Sequence, residues 1–291
     1  MAFQPITNLF LKLNQRYPVL PHPFNENNSQ NKELNFCKVQ FRSAQQIFNN
    51  FHRYGNFYEN IRGKKVADFA CGCGGKAVYL AAKGASEVWG IDTSETFIKQ
   101  AKEFAEDTNF AYKCKFTVTD AMKADLPNEY FDVVVFNDAI EHIPDPEKSL
   151  HEALRVLKPG GKIYINFESY YHYFGHHLWD ALPIPWLHLF TTEAFRIKLY
   201  SEAVRDLPNG KERLEFRISE DQNGKKSISY LNKITSRRFN KTLKRLSKKG
   251  LIDINRKFFT ISHKTRWKFL VKIPFLRELF LGTQYFILQK P

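Results

Sequence analysis

The sequence predicts an α/β protein: a doubly wound, mostly parallel seven-stranded sheet with helices on both faces and one inserted lid or cap segment. Three observations carry that prediction. Short runs rich in Val, Ile and Phe alternate with amphipathic stretches from residue 64 to 168. Those runs are apolar at consecutive positions, as strands covered on both faces are. The first run is followed at once by a glycine cluster that opens a helix, the turn at which doubly wound sheets bind ligands.

Residues 1–40 are rich in Pro, Asn and Gln and read as irregular, with Pro18, Pro21 and Pro23 breaking any helix. From Phe41 to Asn60, Phe41, Ala44, Ile47, Phe48 and Phe51 follow helical spacing. "KKVADFA" (64–70) reads as a buried strand, and "GKAVYLAAKG" (75–84) as a helix ending on Gly84. "SEVWGID" (86–92) is a second strand and "SETFIKQAKEFAED" (94–107) a second helix with Ser94 as its N-cap. "CKFTVTD" (114–120) and "YFDVVVFND" (130–138) are the third and fourth strands. "DPEKSLHEALRVLKPGG" (145–161) is an amphipathic helix ended by Pro159-Gly160, and "KIYINFE" (162–168) is the fifth strand. The pattern then stops and resumes with a helix at 236–250, a strand at 251–261, a helical excursion at 266–280 broken at Pro274, and a last strand at 283–290. This divides the chain into an irregular segment (1–40), an α/β domain (41–168 plus 234–291) and an insertion (169–233).

At 291 residues the chain can bury a sizeable core, and 43% hydrophobic with 25% charged residues is ordinary for a globular protein. No apolar run approaches the ~20 residues of a membrane helix. The first twenty residues lack the basic-then-apolar pattern of a signal peptide, so a cytoplasmic location is expected. Cys37, Cys71, Cys73 and Cys114 do not suggest a disulfide framework, and Cys71-x-Cys73 has no second Cys/His pair to complete a zinc site. The net charge of +14 is uneven: residues 196–278 hold 23 Lys and Arg against 8 Asp and Glu. Such a surface suits nucleic acid, anionic membranes or acidic substrates, and is also common as solvated surface.

In "VADFACGCGGKAVYL" (66–80) an apolar strand carries one acid, Asp68, and then almost no side chains. A chain without Cβ atoms can turn tightly and let a ligand touch its backbone, and the following helix start favours negative groups. Gly72-x-Gly74-x-x-Ala77, with Asp92 about twenty residues on, fits a dinucleotide fingerprint, which alone is weak. Dinucleotide sites do not ask for the acid at Asp68.

The alternative ligand is S-adenosyl-L-methionine. "VADFACGCGG" resembles the first motif of the Rossmann-like class I S-adenosylmethionine-dependent methyltransferases, with Ala70 where the family usually has its first glycine. "VWGIDTS", "VTDAMKADLP", "FDVVVFNDAIEHIPDP" and "LKPGGKIYI" resemble further segments of that family in order. The likeness is greatest to the quinone-biosynthesis type, over about 41–168 and 236–291. It implies that Asp68, Ala70, Cys71, Gly72 and Gly74 line the cofactor. It also implies that Asp92 and Thr93 meet the ribose, Asp120 and Ala121 the adenine, and that Asn137 and Asp138 lie beneath. A carboxylate suits a ribose diol because it accepts from two hydroxyls at once.

A sulfonium methyl is already electrophilic, so such an enzyme mainly aligns the acceptor and excludes water. A base is needed only for a protonated acceptor. His142, just past the fourth strand, is the first candidate. The insertion offers His172, His176, His177 and His188 among tyrosines and tryptophans, of which His176 and His177 join the candidate list. Asp138, Glu141 and His142 resemble metal-binding positions of some quinone-type relatives, but no metal is expected. The expected function is therefore methyl transfer to a small apolar or aromatic acceptor at O or N, by a monomer or homodimer. Two alternatives stand beside it: a nucleic-acid methyltransferase or binder using the basic C-terminal part, and a non-catalytic interaction protein of the same fold.

Overall fold

The computed structural model describes residues 4–20, 22–26, 36–229, 231–261, 268–273 and 276–291. In chain order the helices are α1 (Gln4–Asn14), α2 (Pro23–Glu26), α3 (Phe36–Gly55), α4 (Phe57–Ile61), α5 (Gly75–Ala82) and α6 (Glu95–Glu106). They continue as α7 (Pro146–Val156), α8 (Leu187–Phe190), α9 (Glu193–Val204), α10 (Gly210–Arg217), α11 (Ser236–Lys248) and α12 (Arg277–Phe280). The strands are β1 (Lys65–Phe69), β2 (Glu87–Asp92), β3 (Cys114–Val118), β4 (Phe131–Asn137), β5 (Leu157–Phe167), a small hairpin of β6 (Ile218–Glu220) and β7 (Lys226–Ile228), β8 (Asp253–Ile261) and β9 (Leu281–Gln289).

Seven of these strands form one sheet in the order β3-β2-β1-β4-β5-β9-β8. β1 to β5 are parallel to their neighbours, and β9 is antiparallel to both β5 and β8. Alternation along the strands builds two cores. Ala67, Phe69, Val134 and Phe136 face α7 and α11. Val66, Val133 and Val135 face α3, α5 and α6. Residues of one strand thus go to opposite faces, and both faces are covered, which is why the runs read as continuously apolar.

The helix starts behave as their residues predict. Ser94 Oγ accepts from Phe97 N, and Asp145 accepts from Glu147 N and Lys148 N. Several expectations need correction. Among the described residues of 1–40, helices α1 and α2 and the start of α3 replace the expected irregular chain: Pro5 sits in the first turn of α1, where a missing N–H costs nothing, and Phe10 and Leu11 pack against the core of the insertion. α3 also starts at Phe36, before Phe41. Pro159-Gly160 does not end a helix: α7 stops at Val156, and Lys158–Gly161 form an irregular stretch inside β5. There Gly160 N donates to Lys290 O and Lys290 N to Gly161 O, so pairing with the chain end holds the turn. Pro21, Pro274 and residues 266–267 lie outside the described residues. The rest of the expected excursion is a 3-10 turn (Lys268–Lys272) and α12.

The insertion has a third core of Leu178, Leu182, Leu187, Leu199, Tyr200 and Val204, joined by Phe10, Leu11 and Tyr17 of the N-terminal segment. The insertion therefore packs as one unit with the N-terminal segment.

Candidate active site

The strand order reverses between β1 and β4, so the carboxyl ends of β1 to β5 open a crevice there. Thr119 N donates to Asp92 O at 3.0 Å and Cys71 N to Ile91 O at 2.9 Å, tying the β1, β2 and β3 tips together.

The glycine loop is bare partly for a reason the sequence does not reveal. α3 lies against it. A Cβ on Gly75 would sit 2.1 Å from Cys37 O, and one on Gly74 would sit 2.6 Å from Ala101 Cβ and 2.8 Å from Phe116. Gln40 of α3 accepts from Gly75 N at 3.3 Å and from Cys73 Sγ at 3.4 Å, so its amide crosses the loop. The loop is excluded from side chains by the protein's own helix as well as by its turn.

Asp92 points at this loop: Oδ2 accepts from Gly72 N at 3.0 Å and Oδ1 from Ser94 N at 2.9 Å. Each oxygen keeps acceptor capacity for a further donor. Burial raises its pKa, and the amide donors oppose that rise. Asp68, at the β1 tip, is 2% exposed, and its Oδ2 has no hydrogen-bond partner. Burial pushes its carboxyl up to about 7, against the pull of Lys76 and with a small push from Asp92. Asn137, at the β4 tip, is likewise buried with its Oδ1 unpartnered. Asp138 follows with φ 51 and is exposed. Asp120 is half-buried and accepts from Met122 N, Ala121 is buried beside it, and Thr93 is exposed. Ala70 has φ 57, a left-handed backbone that explains why glycine suits this position. Two buried, unpartnered acceptors and a carboxylate aimed at the loop make a polar cradle that fits a hydroxyl- and ammonium-bearing ligand.

A family model described as a methyltransferase domain matches residues 67–165. The chain is 40% identical over 107 residues to a chloroplastic tocopherol O-methyltransferase of Arabidopsis thaliana, covering 37% of this chain and 31% of that protein. It is 33% identical over 107 residues to a ubiquinone biosynthesis O-methyltransferase of Pseudomonas fluorescens, covering 37% and 45%. The chain carries a methyltransferase domain over residues 67–165, similar to the class I S-adenosylmethionine-dependent methyltransferases. It spans less than half the length of these two relatives. The crystal structure of MccD protein shares the fold with a TM-score of 0.53 at 14% identity, covering 86% of this chain and 98% of that one. The [4+2]-cyclase SpnF shares it with a TM-score of 0.52 at 15% identity, covering 98% and 92%. S-adenosyl-L-methionine is the cofactor of this family.

The candidate histidines separate. His176 is fully buried, its Nδ1 accepts from Leu178 N at 3.1 Å, and its Nε2 meets Ile184 O at 3.2 Å. Burial, with His188 next, holds its pKa down at about 3. It is a packing residue of the cap, with no ring nitrogen left for a substrate. His142 and His177 come together, rings 5.1 Å apart and edge to face. Burial first, and His142 second, hold His177 well below the usual imidazole range. Its backbone is strained at φ 55. Behind them Glu141 is buried with Oε2 unpartnered, and burial, then Asp138, raises its pKa well above the carboxylate range. His172 pairs with Glu168 at 3.1 Å. Asp138, Glu141 and His142 do not converge, and no metal-binding group of three such side chains exists among the described residues.

Sequence reasoning missed Gln40 and Lys76. Gln40 gave no signal, because its place on the loop depends on how α3 docks. Lys76 could have been noticed: it is the first side chain after the glycine cluster, in the first turn of α5.

Proposed function

We propose that this chain transfers a methyl group from S-adenosyl-L-methionine to a small apolar or aromatic acceptor, at O or N, by in-line displacement. The observation that supports this reading is the aim of Asp92 at the glycine loop beside the unpartnered Oδ2 of Asp68 and Oδ1 of Asn137. When bound, the cofactor supplies the electrophilic methyl. Asp92 would hold the ribose, Asp120 and Ala121 the adenine edge, and Asp68, Asn137 and Asp138 the amino-acid end. The domain over 41–168 and 234–291 carries this crevice, and the cap excludes water and walls the acceptor with Tyr170, Tyr173 and Trp186. The relatives named as O-methyltransferases favour oxygen. For a phenolic acceptor, His177 is the group that takes the proton, next to the ring of His142: burial keeps it neutral and so able to accept, at a cost in basicity.

Titration calorimetry with S-adenosylhomocysteine tests the binding half. Wild type is expected to bind, and Asp92→Ala to bind at least about 30-fold more weakly, because charge-assisted hydrogen bonds are lost. A folded wild type that takes up no heat ends this reading. The proton-transfer half is tested by His177→Asn, chosen because Asn tolerates a left-handed backbone. Turnover with a phenolic acceptor is expected to fall about 10²–10⁴-fold with cofactor affinity unchanged. Undiminished turnover would return the role to His142 or to solvent.

A further inference from the structure

Lys76 reaches from α5 across the crevice to the β4 tip, its Nζ 3.1 Å from Asp138 Oδ2 and its side chain only 13% exposed. Asp138 does not depend on it. Asn166 Nδ2 donates to Asp138 Oδ1 at 2.6 Å, Asn137 Nδ2 to Oδ2 at 3.3 Å, and the carboxylate is 42% exposed. On its other side, Lys76 acts electrostatically on the buried Asp68, whose Oδ2 has no partner. One ammonium thus pairs with Asp138 and lies within electrostatic reach of Asp68, where the strand order reverses. A neutral ligand would gain nothing from that arrangement. A purely anionic one would be repelled by Asp138, and by Asp92 at the next strand tip. An α-amino acid, with one carboxylate and one ammonium on the same carbon, meets both signs.

We propose that Lys76 is the residue that recognises the α-carboxylate of the cofactor's amino-acid end. On binding it exchanges Asp138 for that carboxylate. Asp138, still held by Asn137 and Asn166, and Asp68, with its unpartnered oxygen, then face the α-ammonium. The exchange leaves no group orphaned: Lys76 trades one carboxylate for another, and Asp138 keeps two amide donors. This rests on the methyltransferase reading above and adds a residue to it.

The test compares two ligands that share the thioether nucleoside: S-adenosylhomocysteine, which carries the amino-acid end, and 5′-methylthioadenosine, which lacks it. Both are titrated by calorimetry into wild type, Lys76→Met and Lys76→Arg, with melting curves of the free proteins as a folding control. Lys76→Met is expected to weaken S-adenosylhomocysteine about 10–100-fold, the range for one lost hydrogen bond between charged partners, and 5′-methylthioadenosine less than about 3-fold. Lys76→Arg, which keeps the charge, should stay within about 5-fold for both. Equal weakening of both ligands by Lys76→Met would overturn the proposal, since Lys76 would then only shape the loop. So would unchanged S-adenosylhomocysteine affinity. If wild type binds neither ligand, the methyltransferase reading fails and takes this inference with it, a result distinct from either of those.

Discussion

Gly74 and Ala70 both adopt a left-handed backbone, at φ 75 and φ 57, but their surroundings differ. A Cβ on Gly74 meets Ala101 and Phe116 at under 3 Å, both in the packed core. Gly74→Ala should therefore cost about 2–4 kcal/mol, adding overpacking to the ~1 kcal/mol of the left-handed conformation. Ala70→Gly relieves that conformational strain but gives the unfolded chain more freedom, so its effect should stay within about 1 kcal/mol of zero. Urea denaturation of the two variants checks this, and a mild Gly74→Ala would mean that the loop is not set by packing. The acids of the site were legible because each stands at a strand end in a recurring pattern. Which histidine could act was not, because His176 and His177 are adjacent in sequence and only the fold gives one of them two backbone partners.

At the scale of elements, the insertion is held to the N-terminal segment by a buried ion cluster. Asp180 is fully buried, takes Arg213 at 3.2 Å and Arg217 at 3.1 Å, and accepts from Tyr200 Oη at 2.7 Å. Arg213, also fully buried, donates to Phe24 O at 2.7 Å and to Asn25 Oδ1 at 2.9 Å, which ties α2 to α10. Removing one side of a buried pair leaves the other charged and poorly solvated. Arg213→Met is expected to cost about 3 kcal/mol in urea denaturation and to loosen the N-terminal segment, seen as faster amide exchange over α1 and α2. A loss below about 1 kcal/mol would show that Arg217 alone suffices. None of this could be read from the N-terminal sequence. Its prolines are equally compatible with an irregular stretch and with short helices bracketed by proline, and the choice depends on the apolar surface offered by α9.

For the whole molecule, two features set the response to pH and charge. Burial keeps both Asp68 and Glu141 protonated more readily in the folded chain than in the unfolded one. An acid whose folded pKa is raised stabilises the fold fully below its unfolded pKa, and that contribution disappears as pH rises through the folded value. For Asp68 the window runs from 3.8 to about 7. Between pH 5 and 8, Asp68→Asn should gain about 2–3 kcal/mol of stability relative to wild type, measured as diverging urea midpoints. Parallel curves would mean that Asp68 is solvated. The excess of positive charge has a simpler place. Arg237, Lys241, Lys244 and Lys248 are exposed on α11, with Lys249 just past its end, and Phe239, Leu243 and Leu246 are buried against the sheet, so the basic run is the outer face of a docked helix. Among the described residues, no helix is long and apolar enough to cross a membrane.

The sequence by itself determined the sheet, its seven strands, and the crevice with Asp68, Asp92, Asn137 and Asp138 at its edge. These follow from local periodicity and from residues fixed at the ends of strands, and both are properties of short stretches. Only the tertiary structure decided that α3 and Gln40 lie on the glycine loop, that α1 completes the cap, that Lys76 spans to Asp138, and that His142 meets His177. Each of those contacts joins residues 30 or more positions apart, and packing chose among partners that the local pattern leaves equivalent.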